Sequence, residues 1–341
     1  HGHPYINQKI KEQLEQLEHA IFSGFTHPQA VRLAGRLLHL EGAPKGKVFY
    51  SDNGSTAVEI ALKLAWLYFV NQGISKKGFV ALQGAYHGDT LGALATGERD
   101  VFVRPFESLL APVEYIEPPG PQTDWESLKR FLEEKKPAAF IYEPLVQGAA
   151  GMRMYEAEPL KRLLGLCREL NILCIADEVL TGFGRTGTLL ASEQCGTPDL
   201  MALSKGLTGG YLPMGATLIS EHIAAEFHTD NAQKLFYHGH SYTANPLACA
   251  AANASLDILE QPETQAHMQW LYASLATKAE EWNASDHLPR VRVKGNIFAF
   301  DLASNYKGYF YNNPARKKIY AWCIAHELLM RPLGSVVYII P

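Results

Sequence analysis

Short, continuous apolar runs recur along the chain and constrain its fold more than any other feature. They lie at 79–82, 138–142, 173–176 and 200–203. Runs that are apolar throughout are typical of strands buried on both faces of a mainly parallel sheet. Helical patterns, such as those at 55–71 and 158–170, separate them. The sequence therefore predicts an α/β fold with a mainly parallel central sheet.

The length of the chain, 341 residues with 47% hydrophobic side chains, is enough for two domains. We predict an N-terminal segment over 1–45, which forms part of a small domain or a subunit contact. A large domain follows over 46–250, and a smaller α+β domain over 251–341. The first residue is not Met, and the chain ends directly after a strand-like run. We therefore expect the natural protein to extend beyond both ends.

Composition argues against several classes of partner. A net charge of −4 without a basic stripe argues against nucleic acid. No apolar run approaches the roughly 18 residues of a membrane span. Five scattered cysteines without a CxxC pair predict free thiols in a reducing compartment, so we expect a cytoplasmic protein.

Two charged residues follow the apolar runs directly and suggest a chemistry. Asp177 ends the run at 173–176, and Lys205 comes shortly after 200–203. Parallel strands deliver such residues to one edge of the sheet, where an acid and an amine suit pyridoxal phosphate. The lysine would bind the cofactor as a Schiff base, and the carboxylate would pair with the protonated ring nitrogen. The alternatives are a salt bridge at the sheet edge and a lysine that reaches solvent.

Four further segments carry candidate residues. Gly54 and Ser55 open a helix after a strand, which suits a phosphate, although an ordinary helix cap is the alternative. Tyr86 could place its ring on a cofactor or pack on the surface, and we expect His87 beside it to bond nearby backbone. Glu143 could orient the cofactor network or cap a loop. His238 and His240 resemble half a metal site, but no third ligand has suitable spacing, so we predict no metal.

The segment 182–187 fits the GxGxxG pattern and raises the alternative of an NAD-dependent dehydrogenase. The context argues against that alternative, because no long helical pattern follows the glycines. They could instead let a loop pass close to a cofactor.

Together these segments resemble the class III aminotransferases of fold type I, in the same order and over about residues 19–341. The resemblance implies a homodimer with a shared active site that binds pyridoxal 5′-phosphate. It assigns cofactor binding to six residues: Gly54, Ser55, Tyr86, Asp177, Lys205 and, from the partner subunit, Ser241. It assigns substrate binding to four: Asp89, Arg185, Gly239 and Arg331. Lys205, Asp177 and Tyr86 are the expected catalytic residues.

The stretches 146–155, 245–256 and 330–334 are most similar to the biotin-synthesis subgroup of this family. Leu180 stands where many other class III enzymes have Gln. The biotin-synthesis subgroup also lacks this Gln. The resemblance implies transfer of an amino group to a keto acid, with S-adenosylmethionine as the usual donor and lysine in some relatives. In the subgroup, the residues that line the pocket for the amino donor come from a segment that would precede His1. The identity of the amino donor therefore stays open. Another ω-amino-acid aminotransferase is the alternative within the class.

Overall fold

The computed structural model describes residues 1–98, 103–284, 288–302 and 314–341. Its strands are β1 (Gly46–Ser51), β2 (Phe79–Leu82), β3 (Val113–Ile116), β4 (Ala139–Tyr142), β5 (Val146–Gln147), β6 (Arg153–Met154), β7 (Leu173–Asp177), β8 (Leu200–Leu203), β9 (Gly215–Ser220), β10 (Arg292–Lys294), β11 (Ile297–Asp301) and β12 (Val336–Ile339). Its α-helices are α1 (Pro4–Leu14), α2 (Pro28–His39), α3 (Gly54–Asn71), α4 (Leu91–Thr96), α5 (Trp125–Lys135), α6 (Ala157–Glu169), α7 (Ser192–Cys195), α8 (Glu221–Glu226), α9 (Pro246–Leu259), α10 (Pro262–Asn283) and α11 (Pro314–Ala325).

Seven of these strands form the central sheet in the order β1-β9-β8-β7-β4-β2-β3. All neighbours from β8 to β3 pair in parallel, whereas β9 is antiparallel to both β8 and β1. The mainly parallel α/β fold predicted from the apolar runs is therefore confirmed. Strands β1, β2, β4, β7 and β8 all point the same way, so the segments that follow them meet at one edge.

Side chains of one strand alternate between two apolar cores, which explains why the runs are apolar throughout. Phe140 and Tyr142 of β4 pack in the core that contains Leu160 and Leu163 of α6. Ile141 between them packs in the opposite core, formed largely by α3. With both faces covered, no position in the strand favours a polar side chain.

A second, three-stranded antiparallel sheet, in the order β10-β11-β12, lies in the C-terminal part of the chain. Helix α10 packs against it, with Ala279 beside Phe298. Helix α9 runs through the predicted boundary at residue 250 and packs on α1 and α2. The break between helices lies at 260–261 instead. The assignment of 1–45, 46–250 and 251–341 as separate units stays a prediction.

The GxGxxG segment 182–187 forms turns rather than the start of a helix. Gly184 and Gly187 have φ of +92° and +104°. The next helix, α7, has only four residues. The strand–turn–long helix unit that a dinucleotide site requires is therefore not formed here. Among the described residues, no helix combines the length and hydrophobicity needed to cross a membrane.

Candidate active site

A cavity of about 500 Å³ opens at the carboxyl edge of the central sheet. Its lining comes from the loops after β1, β2, β4, β7 and β8, and from the last residues of the chain. The lining residues are Asn53, Gly54, Ser55, Tyr86, His87, Gly88, Glu143, Gly148, Ala149, Met152, Asp177, Val179, Leu180, Ser204, Lys205, Arg331, Leu333, Tyr338 and Ile340. Six of the ten predicted site residues therefore line one cavity.

Asp177, the last residue of β7, is 4% exposed, and both of its oxygens are engaged. His87 Nδ1 lies 2.7 Å from Asp177 Oδ2, and the amide of Val179 donates to Oδ1 at 3.1 Å. The expectation that His87 bonds nearby backbone was wrong, because the chain returns after β2 and brings the imidazole onto the carboxylate. Buried His87 Nε2 has no hydrogen-bond partner among the described residues.

Glu143 follows β4 and is also buried. Its two oxygens accept hydrogen bonds from the amides of Tyr86, at 3.1 Å, and Gly148, at 2.9 Å. Burial raises the pKa of Glu143 to about 7, and the nearby Asp177 carboxylate also raises it, while His87 and the two amides lower it. One side chain thus ties the Tyr86 loop to the loop that begins at Gly148.

Lys205 follows β8 in a backbone conformation that side chains rarely adopt. Its φ is +43°, and such left-handed geometry costs a non-glycine residue roughly 1–2 kcal/mol. The preceding residue, Ser204, is anchored because its hydroxyl donates to the carbonyl of Met214 at 2.6 Å. Within the described residues, Lys205 Nζ makes no hydrogen bond or ion pair. An unpaired amine on a cavity wall can serve as a nucleophile.

The N-terminus of α3 forms the end of the cavity that suits an anion. Asn53 Oδ1 accepts from the amide of Thr56 at 3.0 Å, and Thr56 Oγ1 accepts from the amide of Asn53 at 3.1 Å. This reciprocal cap leaves Ser55 outside it, and Ser55 Oγ accepts from the amide of Asp89 at 3.3 Å. The helix therefore presents its first turn to the cavity, where its dipole favours negative charge.

Glycines keep this end of the cavity open. A Cβ at Gly88, whose φ is +125°, would lie 2.1 Å from Ser55 Oγ. A Cβ at Gly54 would lie 2.8 Å from Val179 Cγ1. Neither position can accept a side chain unless its neighbours move.

Tyr86 is 46% exposed and presents its side chain on the wall of the cavity. Its hydroxyl donates to Asp89 Oδ2 at 3.1 Å. Asp89 itself is exposed and lies outside the lining. Its connection to the cavity consists of hydrogen bonds with two lining residues, Tyr86 and Ser55.

Three predicted residues lie elsewhere. Arg185 Nη1 donates to the carbonyl of Pro341 at 2.7 Å, and Arg185 is not part of the lining. Gly239 and Ser241 line a different cavity, of about 450 Å³, beside residues 21–23 and 48–50. The histidines near them lie beside other charged groups: His238 Nδ1 is 3.0 Å from Lys63 Nζ, and His240 Nε2 is 3.4 Å from Asp52 Oδ1.

The wall near Arg331 contains side chains that sequence reasoning missed. Leu333, Tyr338, Ile340 and Met152 give this part of the lining its apolar character. The apolar run at 336–340 was visible in the sequence as a strand. This run lies near the ends of β4 and β7, although more than 150 residues separate it from them in the sequence. The run itself carries no signal for such a distant contact.

The family model of the class III aminotransferases matches residues 1–341. The chain therefore belongs to this family. It is 44% identical to the adenosylmethionine-8-amino-7-oxononanoate aminotransferase of Synechococcus elongatus, over 100% of this chain and 83% of the relative. The crystal structure of the enzyme with that name from Methanocaldococcus jannaschii superposes with a TM-score of 0.91 at 31% identity, covering 100% of this chain and 81% of the other.

Class III aminotransferases depend on pyridoxal phosphate. An amine transaminase from an uncultivated Pseudomonas species, solved in its PLP-bound form, matches with a TM-score of 0.86 at 32% identity, over 100% of this chain and 82% of the other. The cavity has the groups this cofactor needs: a buried carboxylate held by two donors, a lysine amine without a partner among the described residues, an aromatic side chain and a helix N-terminus. The residues present therefore fit pyridoxal phosphate.

Proposed function

We propose that this chain catalyses the transamination of 8-amino-7-oxononanoate to 7,8-diaminononanoate in biotin synthesis, with S-adenosylmethionine as amino donor. The observation that carries the choice of acceptor is the lining of the cavity. It combines one guanidinium, Arg331, with an apolar wall that includes Leu333, Tyr338 and Ile340. The acceptor is a carboxylic acid whose keto group lies several methylenes away. A carboxylate suits the guanidinium, and each buried methylene contributes about 0.8 kcal/mol.

Four parts of the cavity would hold the cofactor. Asp177 would pair with its ring nitrogen, and Tyr86 would cover its ring. The amides of Gly54 and Ser55 would bind its phosphate, and Lys205 would bind it covalently. When bound, this cofactor would supply the carrier for the amino group between the donor and the keto carbon of the acceptor.

Lys205 would also move the proton. Its Nζ would remove a proton from the amine-bearing carbon of the donor and later deliver one to the former keto carbon of the acceptor. The Asp177 carboxylate, held by His87 and the amide of Val179, would keep its charge directed at the ring nitrogen. The apolar side chains around Arg331 would exclude water from the acceptor chain.

The proposal includes a cytoplasmic homodimer in which each subunit completes the site of the other. Gly239 and Ser241 line a cavity separate from that of Lys205, which supports a role in a neighbouring subunit's site. We assign Ser241 to the phosphate and Gly239 to the substrate of the partner. Arg185 and Asp89 remain candidate substrate residues that would act at the margin of the site. The five cysteines, all free and buried, support a reducing compartment.

A half-reaction assay tests the proposal. Enzyme that carries the amino form of the cofactor is mixed with one keto acid at a time, and the visible spectrum is followed. We expect 8-amino-7-oxononanoate, but not 2-oxoglutarate, to return the cofactor to its aldehyde form. The reverse selectivity would instead indicate another ω-amino-acid aminotransferase. The converse assay with S-adenosylmethionine and lysine identifies the donor.

A further inference from the structure

The loop 148–152 closes one side of the cavity in a strained conformation. Gly148, Ala149 and Met152 of this loop line the cavity. Gly151 and Met152 both have positive φ, of +76° and +54°. For Met152 this geometry costs roughly 1–2 kcal/mol, and it persists only where surrounding contacts hold it.

Arg292, the first residue of β10, supplies such contacts. Its Nε donates to the carbonyl of Met152 at 2.9 Å, and its Nη2 donates to the carbonyl of Gly151. Its Nη1 donates to Asp301 Oδ1 on β11 at 2.9 Å. The side chains of Arg292 and Asp301 are only 21% and 10% exposed. The guanidinium is therefore oriented by a carboxylate of the small sheet while it holds two carbonyls of the loop.

The same small sheet also contributes to the apolar part of the lining. Strand β12 pairs with β11 in the register Asp301↔Val336 and Ala299↔Tyr338, and Tyr338 lines the cavity. Val336 also approaches the loop, since a Cβ at Gly151 would lie 2.9 Å from Val336 Cγ2. Arg292 thus connects the loop that carries Met152 to the sheet that carries Tyr338.

We propose that Arg292 is a positioning residue for the acceptor substrate. By holding the carbonyls of Gly151 and Met152 on the small sheet, it fixes the position of Met152 relative to Tyr338 in the apolar part of the lining. The aliphatic chain of a substrate whose carboxylate binds Arg331 would contact this part of the lining. The identity of that substrate, 8-amino-7-oxononanoate, rests on the proposed function. Because Arg292 does not line the cavity, its loss weakens substrate binding more than it slows proton transfer.

Arg290 offers a matched control. Its Nη2 lies 2.5 Å from Asp301 Oδ2, but its side chain is 82% exposed. Within the described residues it makes no hydrogen bond to the loop 148–152. A substitution at Arg290 therefore perturbs the same carboxylate without releasing the loop.

The experiment compares Arg292→Lys with Arg290→Lys as holoenzymes. Kinetics with 8-amino-7-oxononanoate give KM and kcat, and hydrogen exchange follows the amide of Met152, which donates to the carbonyl of Gly148 at 3.1 Å. For Arg292→Lys we expect KM to rise about tenfold, exchange at Met152 to become about tenfold faster, and kcat to stay within about twofold. Arg290→Lys should change none of these quantities.

The proposal is overturned if Arg292→Lys leaves both KM and exchange unchanged, or if Arg290→Lys has the same effect. Should Arg292→Lys fail to fold, Asp301→Asn is expected to raise KM and exchange in the same way, and unchanged values would again overturn the proposal. A wild-type enzyme that rejects 8-amino-7-oxononanoate would contradict the proposed function instead. The role of Arg292 is then decided by exchange at Met152 and by KM for the keto acid that the enzyme accepts.

Discussion

At the scale of single residues, a buried acid at the sheet edge, Glu143, makes stability depend on pH. For Glu143, burial raises the pKa to about 7, above its usual value of 4.5. The folded state therefore holds a proton that the unfolded state releases at lower pH. The stability from this proton is present below about pH 4.5 and is lost as pH rises through about 7. A difference of that size corresponds to about 3 kcal/mol, as an order of magnitude.

Glu143→Gln should remove this pH dependence, because glutamine does not titrate. The variant should also lose one of the two hydrogen bonds that Glu143 accepts from the amides of Tyr86 and Gly148. This loss lowers the free energy of unfolding by the same amount at every pH. Denaturant unfolding of cofactor-free enzyme at about pH 5 and about pH 8 measures the difference. We expect the wild type to lose about 2.5 kcal/mol more than the variant over this interval, because part of the total is already lost at about pH 5. Equal losses would mean that Glu143 is ionised throughout.

Asp177→Asn should leave the fold intact and slow turnover. Asparagine has the same size but no charge, so the ring nitrogen of the cofactor would lose its anionic partner. We expect kcat to fall by about two to three orders of magnitude, the range found when one preorganised electrostatic contact is removed. Steady-state rates measure the effect, with the exposed Asp230→Asn as control. A loss of less than tenfold in the Asp177 variant would argue against the proposed pairing.

At the scale of elements, the close approach of the Tyr86 loop to the first turn of α3 shapes the anion-binding end of the cavity. Gly88→Ala should strain this approach, because φ is +125° and the new Cβ would lie 2.1 Å from Ser55 Oγ. We expect the free energy of unfolding to fall by about 1–3 kcal/mol, and cofactor affinity to fall as Ser55 is displaced. Thermal unfolding and cofactor titration measure both quantities.

Gly97→Ala is the matched control for Gly88→Ala. The nearest atoms to a Cβ at Gly97 lie at 3.5 Å, an ordinary contact distance, and its φ is −79°. The control should bind cofactor like the wild type. Equal effects of the two substitutions would show that the first turn of α3 does not depend on Gly88.

Some of these elements and site residues could be predicted from the sequence, and others could not. Continuous apolar runs predicted the parallel strands, because burial on both faces leaves a local pattern. Asp177 and Lys205 were predicted together, because parallel strands end at one edge. The partner of His87 and the wall formed by Tyr338 were not predicted, since both depend on contacts between distant segments. The domain boundary at residue 250, which lies within α9, stays a prediction, because an Ala-rich helix carries no signal for which domain it packs on.

At the scale of the whole molecule, two inactive variants can together test the proposal that two subunits share each active site. Lys205→Ala removes the amine that we propose to be catalytic, and Ser241→Asp places a negative charge where the proposal expects the phosphate in the partner's site. Each variant alone should be nearly inactive. When subunits exchange at random, half of the dimers combine the two variants, and each of these has one intact site. Activity should then recover to about a quarter of the wild-type value.

Activity before and after subunit exchange measures this recovery. A mixture of Ser241→Asp with wild type serves as control for nonspecific effects of exchange. If the activity of the exchanged mixture never exceeds the summed activities of the two variants, Ser241 does not act in the site of a partner.

We propose that pyridoxal phosphate binds to Lys205 in the cavity at the carboxyl edge of the sheet and that transamination takes place there. Borohydride reduction of the holoenzyme, followed by proteolysis and mass spectrometry, can identify the lysine that binds the cofactor, because reduction makes the bond between them permanent. We predict that the label lies on the peptide containing Lys205, and that prior incubation with the amino donor prevents labelling. A label on a different lysine, or no label at all, would show that Lys205 does not bind the cofactor.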